Sequence, residues 1–355
     1  MVITKLHVKN FRCFKDFILN DITPVTLISG KNNAGKSTLL ESIFLLFDYQ
    51  TPTVFFKLNS FRGNLFANIF PKFLWEHLFY TMDTSNELLV SITFNNKERV
   101  LRLQRDNKTN VSTVDLNKPN EIAAPSRRII ESYYPLSISY QEGDYNEAGR
   151  CNIVFPNVTI DFKSPPKPIT TGVQYFGPNV RENPNKVAEW FGELEISGGK
   201  KRLVETLKQM ESKIDDLFTV ISDGVGYIYA NTVSNVKMPL FAMGEGMKNL
   251  MMIALYMLIN PNSIVLIDEV ENGFHHSFHE YFWKFIFSLS KDTNCQIFAT
   301  THSYECIRAA VNAAASENVD RFSYVRLGEK KGDVFPHIFS KEPLIYAVES
   351  ELEVR

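Results

Sequence analysis

Cysteine is scarce in this chain: four in 355 residues, at Cys13, Cys151, Cys295 and Cys306, with no Cys-x-x-Cys pair. Such scatter excludes a disulfide framework and a cysteine zinc site, and fits a reducing cytoplasm. An excess of one charge is also missing. Lys and Arg number 38 against 40 Asp and Glu, giving a net charge of −2 and a pI near 6.4. No global basic field therefore advertises nucleic acid, and only a local patch would escape such a total. Long apolar runs are absent too. The most apolar stretch, residues 250–267, is broken by Asn260-Pro261-Asn262, so it reads as a buried helix and then a strand, not a membrane span. The N-terminus runs straight into strand-like sequence, with none of the features of a signal peptide. Internal repeats and low-complexity tracts are lacking. What remains is an ordinary globular composition, 44% hydrophobic and 22% charged, with material for one large or two modest domains.

The most informative stretch spans residues 25–40. A short apolar strand (25–28) leads into a turn with two glycines and then a helical run. Gly30, Gly35, Lys36 and Ser37 fit G-x-x-x-x-G-K-[ST], the loop that wraps a nucleotide triphosphate. The chemistry dictates the residue types. Backbone N–H groups must converge on an anion, so side chains vanish at the tight positions, and the helix that follows offers its N-terminal N–H groups and dipole. Lys36 supplies a mobile charge for the β- and γ-phosphates, and the Ser37 hydroxyl suits Mg²⁺. Lys31, Asn32, Asn33, Ala34 and Thr38 complete the expected nucleotide-binding loop.

Around it the chain reads in order. Residues 2–8 alternate as a strand, residues 14–19 follow, and residues 37–47 form a helix apolar on most sides and therefore buried. Residues 48–80 are rich in Phe at helical spacing, which reads as core more readily than as a ligand groove. Residues 87–94 and 99–103 form a hairpin turned at Asn95-Asn96. Residues 105–170 are strand-like pieces between polar and proline-rich stretches, read as insertion and lid. The pattern at 199–218 predicts one helix of roughly twenty residues, too short for a coiled-coil arm. A second hairpin is expected over 226–231 and 236–243.

Ser263-Ile-Val-Leu-Ile-Asp-Glu269 reads as a buried parallel strand ending in two acids. In an open α/β sheet this pair meets the Lys36 loop at the carboxyl ends of the strands. Asp268 then orders Mg²⁺ and Glu269 polarises the attacking water as general base. Residues 295–299 form a sister strand ending in Thr300-Thr301-His302-Ser303, which places the His302 imidazole near a γ-phosphate or attacking water. Gly244, Glu245 and Gly246 precede a helix over 248–259 and make a further anion site facing outward. Since the chain already has a phosphate loop, this turn is expected to reach the nucleotide of a second copy. Ser222-Asp223-Gly224 is a decoy, cut off from Asp268 by the second hairpin.

Together these elements resemble the ABC-type ATPase heads of the SMC, RecF and OLD families. They are most similar to the stand-alone prokaryotic AAA-family ATP-binding proteins related to the OLD ATPase domain. Asn10-Phe11-Arg12 looks like the first strand and turn of those heads, which adds Arg12 to the nucleotide-binding residues. The turn at 243–247 looks like their signature, Glu271-Asn-Gly-Phe-His275 sits where the D-loop belongs, and His302 where the switch histidine belongs. The likeness covers most of the chain and thins over 48–170. It implies an α/β fold: an ABC-type P-loop NTPase head with a mixed or parallel central sheet, an antiparallel β lobe and a helical or lid insertion. One domain over 1–355 is expected, with 1–47 and 260–340 as the sheet core, 48–240 as the lid and 241–260 as the signature helix.

The resemblance further implies ATP and Mg²⁺ as ligands, and an ATP-dependent homodimer or higher oligomer with ATP between two heads. Two departures stand out. Gly244 replaces the usual signature serine, which implies slow turnover, and no glutamine falls at the Mg²⁺ position of the glutamine loop near 174–181. No Toprim nuclease is expected after the ATPase, so the implied effector is a separate polypeptide, a nuclease or toxin of an anti-phage system. A RecF-like clamp on duplex DNA is the alternative, weakened by the neutral charge; a transporter motor fits less well. The expected setting is cytoplasmic, without a membrane.

Overall fold

The computed structural model describes residues 2–64, 72–106, 135–154, 157–317, 319, 321–339, 344–346 and 348. The chain opens with β1 (Ile3–Phe11), β2 (Phe14–Leu19) and β3 (Val25–Gly30), then α1 (Lys36–Asp48), α2 (Val54–Phe61) and the short α3 (Lys72–Trp75). Next come β4 (Leu88–Phe94), β5 (Lys97–Arg105), β6 (Leu136–Glu142), β7 (Tyr145–Val154), β8 (Asn157–Phe162) and β9 (Val173–Phe176). Helices α4 (Pro184–Ile196) and α5 (Lys200–Met210) lead to β10 (Ile214–Ser222), β11 (Val225–Thr232) and β12 (Lys237–Pro239). The last third is α6 (Glu245–Ile259), β13 (Ile264–Ile267), α7 (His279–Thr293), β14 (Gln296–Thr300), α8 (Tyr304–Ser316), β15 (Phe322–Lys330) and β16 (Asp333–Phe339).

The central sheet runs β16-β15-β3-β14-β13-β9, parallel except for β16 at one edge. Every residue of β3, β13 and β14 is buried, which is why each reads as a nearly continuous apolar run. Alternation then sends the side chains to two cores. Ile28, Ile264 and Leu266 face α1 and the antiparallel sheet, whereas Val25, Leu27, Val265 and Ile267 face α6, α7 and α8. The seven-stranded antiparallel sheet runs β2-β1-β4-β5-β6-β7-β8, and α1 lies buried between it and the parallel sheet. The buried Gln296 ties the two: its Nε2 donates to the Ile3 carbonyl at 2.9 Å and its Oε1 accepts from the Ile3 N–H at 2.7 Å.

Three expectations need correction. The expected helix over 199–218 stops at Met210; Ile214 begins β10, which pairs along its length with β11. Ile214 and Leu217 satisfy a helical period, but both are buried on one side of a strand whose hydrogen bonds go to β11. Asp223-Gly224 is the tip of that hairpin, both residues at positive φ (51° and 77°), as a two-residue hairpin loop requires. The expected hairpin over 226–243 shrinks accordingly, because β12 holds only three residues before a 3₁₀ turn, Leu240–Met243. Finally, β1 and β2 leave the phosphate-loop sheet and pair with each other and β4, while β9, from the expected lid, joins it beside β13. Helix α4 was not anticipated; Asn183 caps it by accepting from the Asn185 N–H, with Pro184 in its first turn. Among the described residues no helix is long and apolar enough to cross a membrane.

Candidate functional site

The phosphate loop leaves β3 at Gly30 and enters α1 at Lys36. Glycine is required at both ends. A Cβ on Gly30 (φ 146°) would lie 2.7 Å from the Leu327 carbonyl oxygen, and one on Gly35 (φ 94°) 2.8 Å from Cys13 Sγ. Between them Asn33 takes a positive φ of 63° and the Ala34 N–H donates to the Lys31 carbonyl at 3.2 Å. No side chain caps the N-terminus of α1, so its first N–H groups face the cleft in the manner of an anion cradle. Lys36 is buried, and its ammonium donates to the Gly30 and Lys31 carbonyls at 2.8 and 2.9 Å. Burial lowers its pKa to about 8, opposed by Asp268, Glu271 and Glu269.

The ends of β13 and β14 converge on this loop, since β14 lies between β3 and β13. Asp268 Oδ1 accepts from the hydroxyls of Ser37 (3.1 Å) and Thr300 (2.5 Å), and its Oδ2 from the buried phenol of Tyr175 (2.7 Å). The sequence reading assigned no role to Tyr175, a residue of β9 that lacks any motif. Its ring stacks on Phe61 with centroids 3.9 Å apart. The open glutamine position is thereby clarified: Gln174 turns to Glu182 (2.6 Å), and the neighbouring phenol is what reaches the acid. Glu269 sits at φ 51°, and its N–H donates to Thr300 Oγ1 at 2.9 Å. Burial raises the pKa of its carboxyl, with Asp268 adding to the effect and His302 opposing it. The His302 N–H donates to Glu271 Oε1 at 2.7 Å, tying the end of β14 to the loop after β13.

One cleft of about 760 Å³ is lined by Arg12, Asn32, Asn33, Gly35, Lys36, Ser37, Thr38, Asp268, Glu269 and His302. Arg12 (φ 50°) arrives from the turn after β1 and pairs with Glu41 of α1, Nε to Oε2 at 2.7 Å. Ser37 and Asp268 present hard oxygen ligands side by side, a set that fits Mg²⁺. Gly244 and Glu245 are exposed and none of Gly244–Gly246 lines this cleft. Gly244 takes φ 107° with open space around its Cα, whereas a Cβ on Gly246 would collide with the Gly273 carbonyl. The turn before α6 is thus wedged against the loop carrying Glu271.

A family model described as "AAA domain, putative AbiEii toxin, Type IV TA system" matches residues 25–308, from the start of β3 into α8. The chain belongs to this family. It is 24% identical over 344 residues to a Helicobacter pylori protein named ATP/GTP phosphatase, covering 86% of each chain. Over 85 residues it is 38% identical to the uncharacterized Methanocaldococcus jannaschii protein MJECL11, which spans 24% of this chain and 75% of that one. The fold is shared with an SMC head solved bound to the C-winged helix domain of ScpA, at TM-score 0.50 and 11% identity, covering 98% of this chain and all of that one. This family member is an ATPase with an ABC-type, SMC-like head.

Proposed function

We propose that this ATPase is a switch: two copies close around ATP, and the closed form engages a separate effector polypeptide. One observation carries the reading. Gly244 and Glu245 stand exposed at the N-terminus of the fifteen-residue helix α6, and the turn lies outside its own chain's cleft. An outward anion site of that kind suits the phosphates of a second copy. The family description names a toxin system, and the SMC head of similar fold was solved with a partner domain; both support a separate partner here. We take residues 1–355 as one ATPase domain working in the cytoplasm.

In this reading backbone N–H groups of residues 31–38 and the Lys36 ammonium bind the triphosphate. Ser37 and Asp268 would hold Mg²⁺, which supplies positive charge to the phosphate oxygens. Glu269, its pKa raised by burial, is suited to accept a proton from the attacking water. His302 follows the same sheet edge and donates to the γ-phosphate or that water. With glycine at position 244, contact across the dimer rests on backbone N–H groups, so turnover is slow. Replacing Glu269→Gln should leave ATP binding intact, cut turnover by about 100-fold or more, and accumulate a dimer. Light scattering in Mg²⁺-ATP decides it: a Glu269→Gln protein that stays monomeric rules out the composite site.

A further inference from the structure

The Asp268-Glu269 segment also borders a second cavity, of about 210 Å³, for which the reading above has no use. Pro178, Asp268 and Glu269 line both this cavity and the nucleotide cleft, so they form the partition between the two. The partition is firmly held. The Asp268 N–H donates to the Phe176 carbonyl at 2.7 Å, and the Val270 N–H to the Thr300 carbonyl at 2.9 Å. The other walls come from α4 (Val187), β11 (Ile228), the 3₁₀ turn (Leu240, Phe241) and α6 (Met251, Met252). Gly244 joins that 3₁₀ turn to α6.

The lining says what fits inside. Leu240, Met251 and Met252 are buried, and methionine adapts its shape to an apolar guest. Phe241, by contrast, is 61% exposed, with its ring edge-on to Tyr227 and centroids 6.4 Å apart. An aromatic ring half in water beside an apolar cavity marks the mouth. An apolar cavity of about 150 Å³ takes a benzene ring, so this one suits a two-ring body. Five separate stretches of chain close it into a pocket, which favours a compact molecule over an extended peptide.

Charge names the other end of that molecule. Arg181 and Lys248 also line the cavity, and both turn to one oxygen, Glu245 Oε1, at 3.6 Å from Arg181 Nη1 and 2.5 Å from Lys248 Nζ. Glu182, another lining acid, is already held by Lys186 at 3.1 Å and Gln174 at 2.6 Å. One positive charge is therefore in excess beside the exposed Arg181, whereas the partition carries the acids Asp268 and Glu269. An anionic group belongs at the mouth and an apolar body within.

We propose that this cavity is a binding site for a small aromatic carboxylate, and that its occupation slows ATP hydrolysis. A ligand wedged between the partition and α6 fixes their spacing, and Glu269 is part of that partition. The effect on hydrolysis rests on the role given to Glu269 above; the binding does not.

The test is calorimetric titration of the full chain, without nucleotide, with 2-naphthoate and its neutral isostere 2-naphthamide, followed by ATP turnover at saturating 2-naphthoate. The wild type should bind 2-naphthoate at a single site and the amide about three-fold more weakly, the size of an exposed charge pair. Arg181→Gln should remove that preference. Val187→Phe, which drives a ring into the cavity, should weaken both ligands by at least about ten-fold. If that variant fails to fold, Phe241→Ala decides, with a loss of about five-fold for both. Turnover should fall by about five-fold in the wild type and stay unchanged in Val187→Phe. No saturable binding to the wild type, or undiminished binding in the cavity variants, would overturn the site. Equal affinity for acid and amide would overturn the carboxylate assignment. Binding with unchanged turnover would overturn the effect on hydrolysis, whereas a Glu269→Gln protein that hydrolyses ATP normally would remove the Glu269 role beneath it.

Discussion

Two buried carboxylates flank the phosphate loop, and they are satisfied in opposite ways. Asp268, at the end of a parallel strand, accepts hydrogen bonds from the neutral hydroxyls of Ser37, Thr300 and Tyr175. Glu41, within α1, faces the guanidiniums of Arg12 and Arg62. Hydroxyl donors steady a carboxylate without cancelling its charge, so the sheet side of the cleft keeps its attraction for a divalent cation. Two guanidiniums overcompensate Glu41, so the side built by the turn after β1 and the insertion attracts an anion. A single cleft thus acquires a polarity matched to a metal-bound polyphosphate, and each wall comes from a different layer of the fold.

The comparison breaks hardest at Lys36, which lies between the two walls. Lys36→Ala should weaken ATP by at least about 100-fold, since it removes a charged donor at the phosphates; titration calorimetry giving unchanged affinity would refute the phosphate-loop role. A smaller effect is expected on the Asp268 side. Tyr175→Phe keeps the ring stacked on Phe61 but removes one donor to the acid, which should cost about 2 kcal/mol of unfolding free energy without ligands. Denaturant titration measures it, and a loss under about 0.5 kcal/mol would mean that the phenol does not hold Asp268.

The mildest test is pH. Burial lowers the Lys36 pKa to about 8, and a bound phosphate favours the ammonium, so binding above that pH must take up a proton. Affinity for ATP should fall by about five-fold between pH 8 and 9, and Lys36→Arg should flatten the profile. Stability moves the other way. The unfolded chain keeps this proton up to the ordinary lysine value of 10.5, so the folding cost of a buried ammonium, present below pH 8, is relieved as pH climbs between the two values. Melting curves across that window check the sign.

The sheet side was legible in the sequence because its information is local. Gly30 to Ser37, Asp268-Glu269 and His302 each follow a short apolar run, and buried parallel strands put such ends together. The other wall was not legible. Glu41 is an acid buried midway along a mostly apolar helix, a signal that an ion partner lies somewhere, but nothing local points to Arg62. Tyr175 reads as one more strand residue until β9 is paired with β13. The misread helix over 199–218 has the same origin. Apolar residues three apart fit a helix, and the choice of strand is made by β11, a partner later in the chain.

The contact between Gly246 and Gly273 has a consequence for timing. The loop it touches is a compact turn, in which the Asn272 N–H donates to the Glu269 carbonyl at 2.9 Å and the Phe274 N–H to the Glu271 carbonyl at 3.1 Å. Glu271 in turn holds the His302 backbone. With no room for even a methyl group between the two loops, a push on the exposed turn is passed on as a rigid displacement, not absorbed. On the switch reading proposed above, a partner docking at Gly244 would therefore set the timing of the residues behind it.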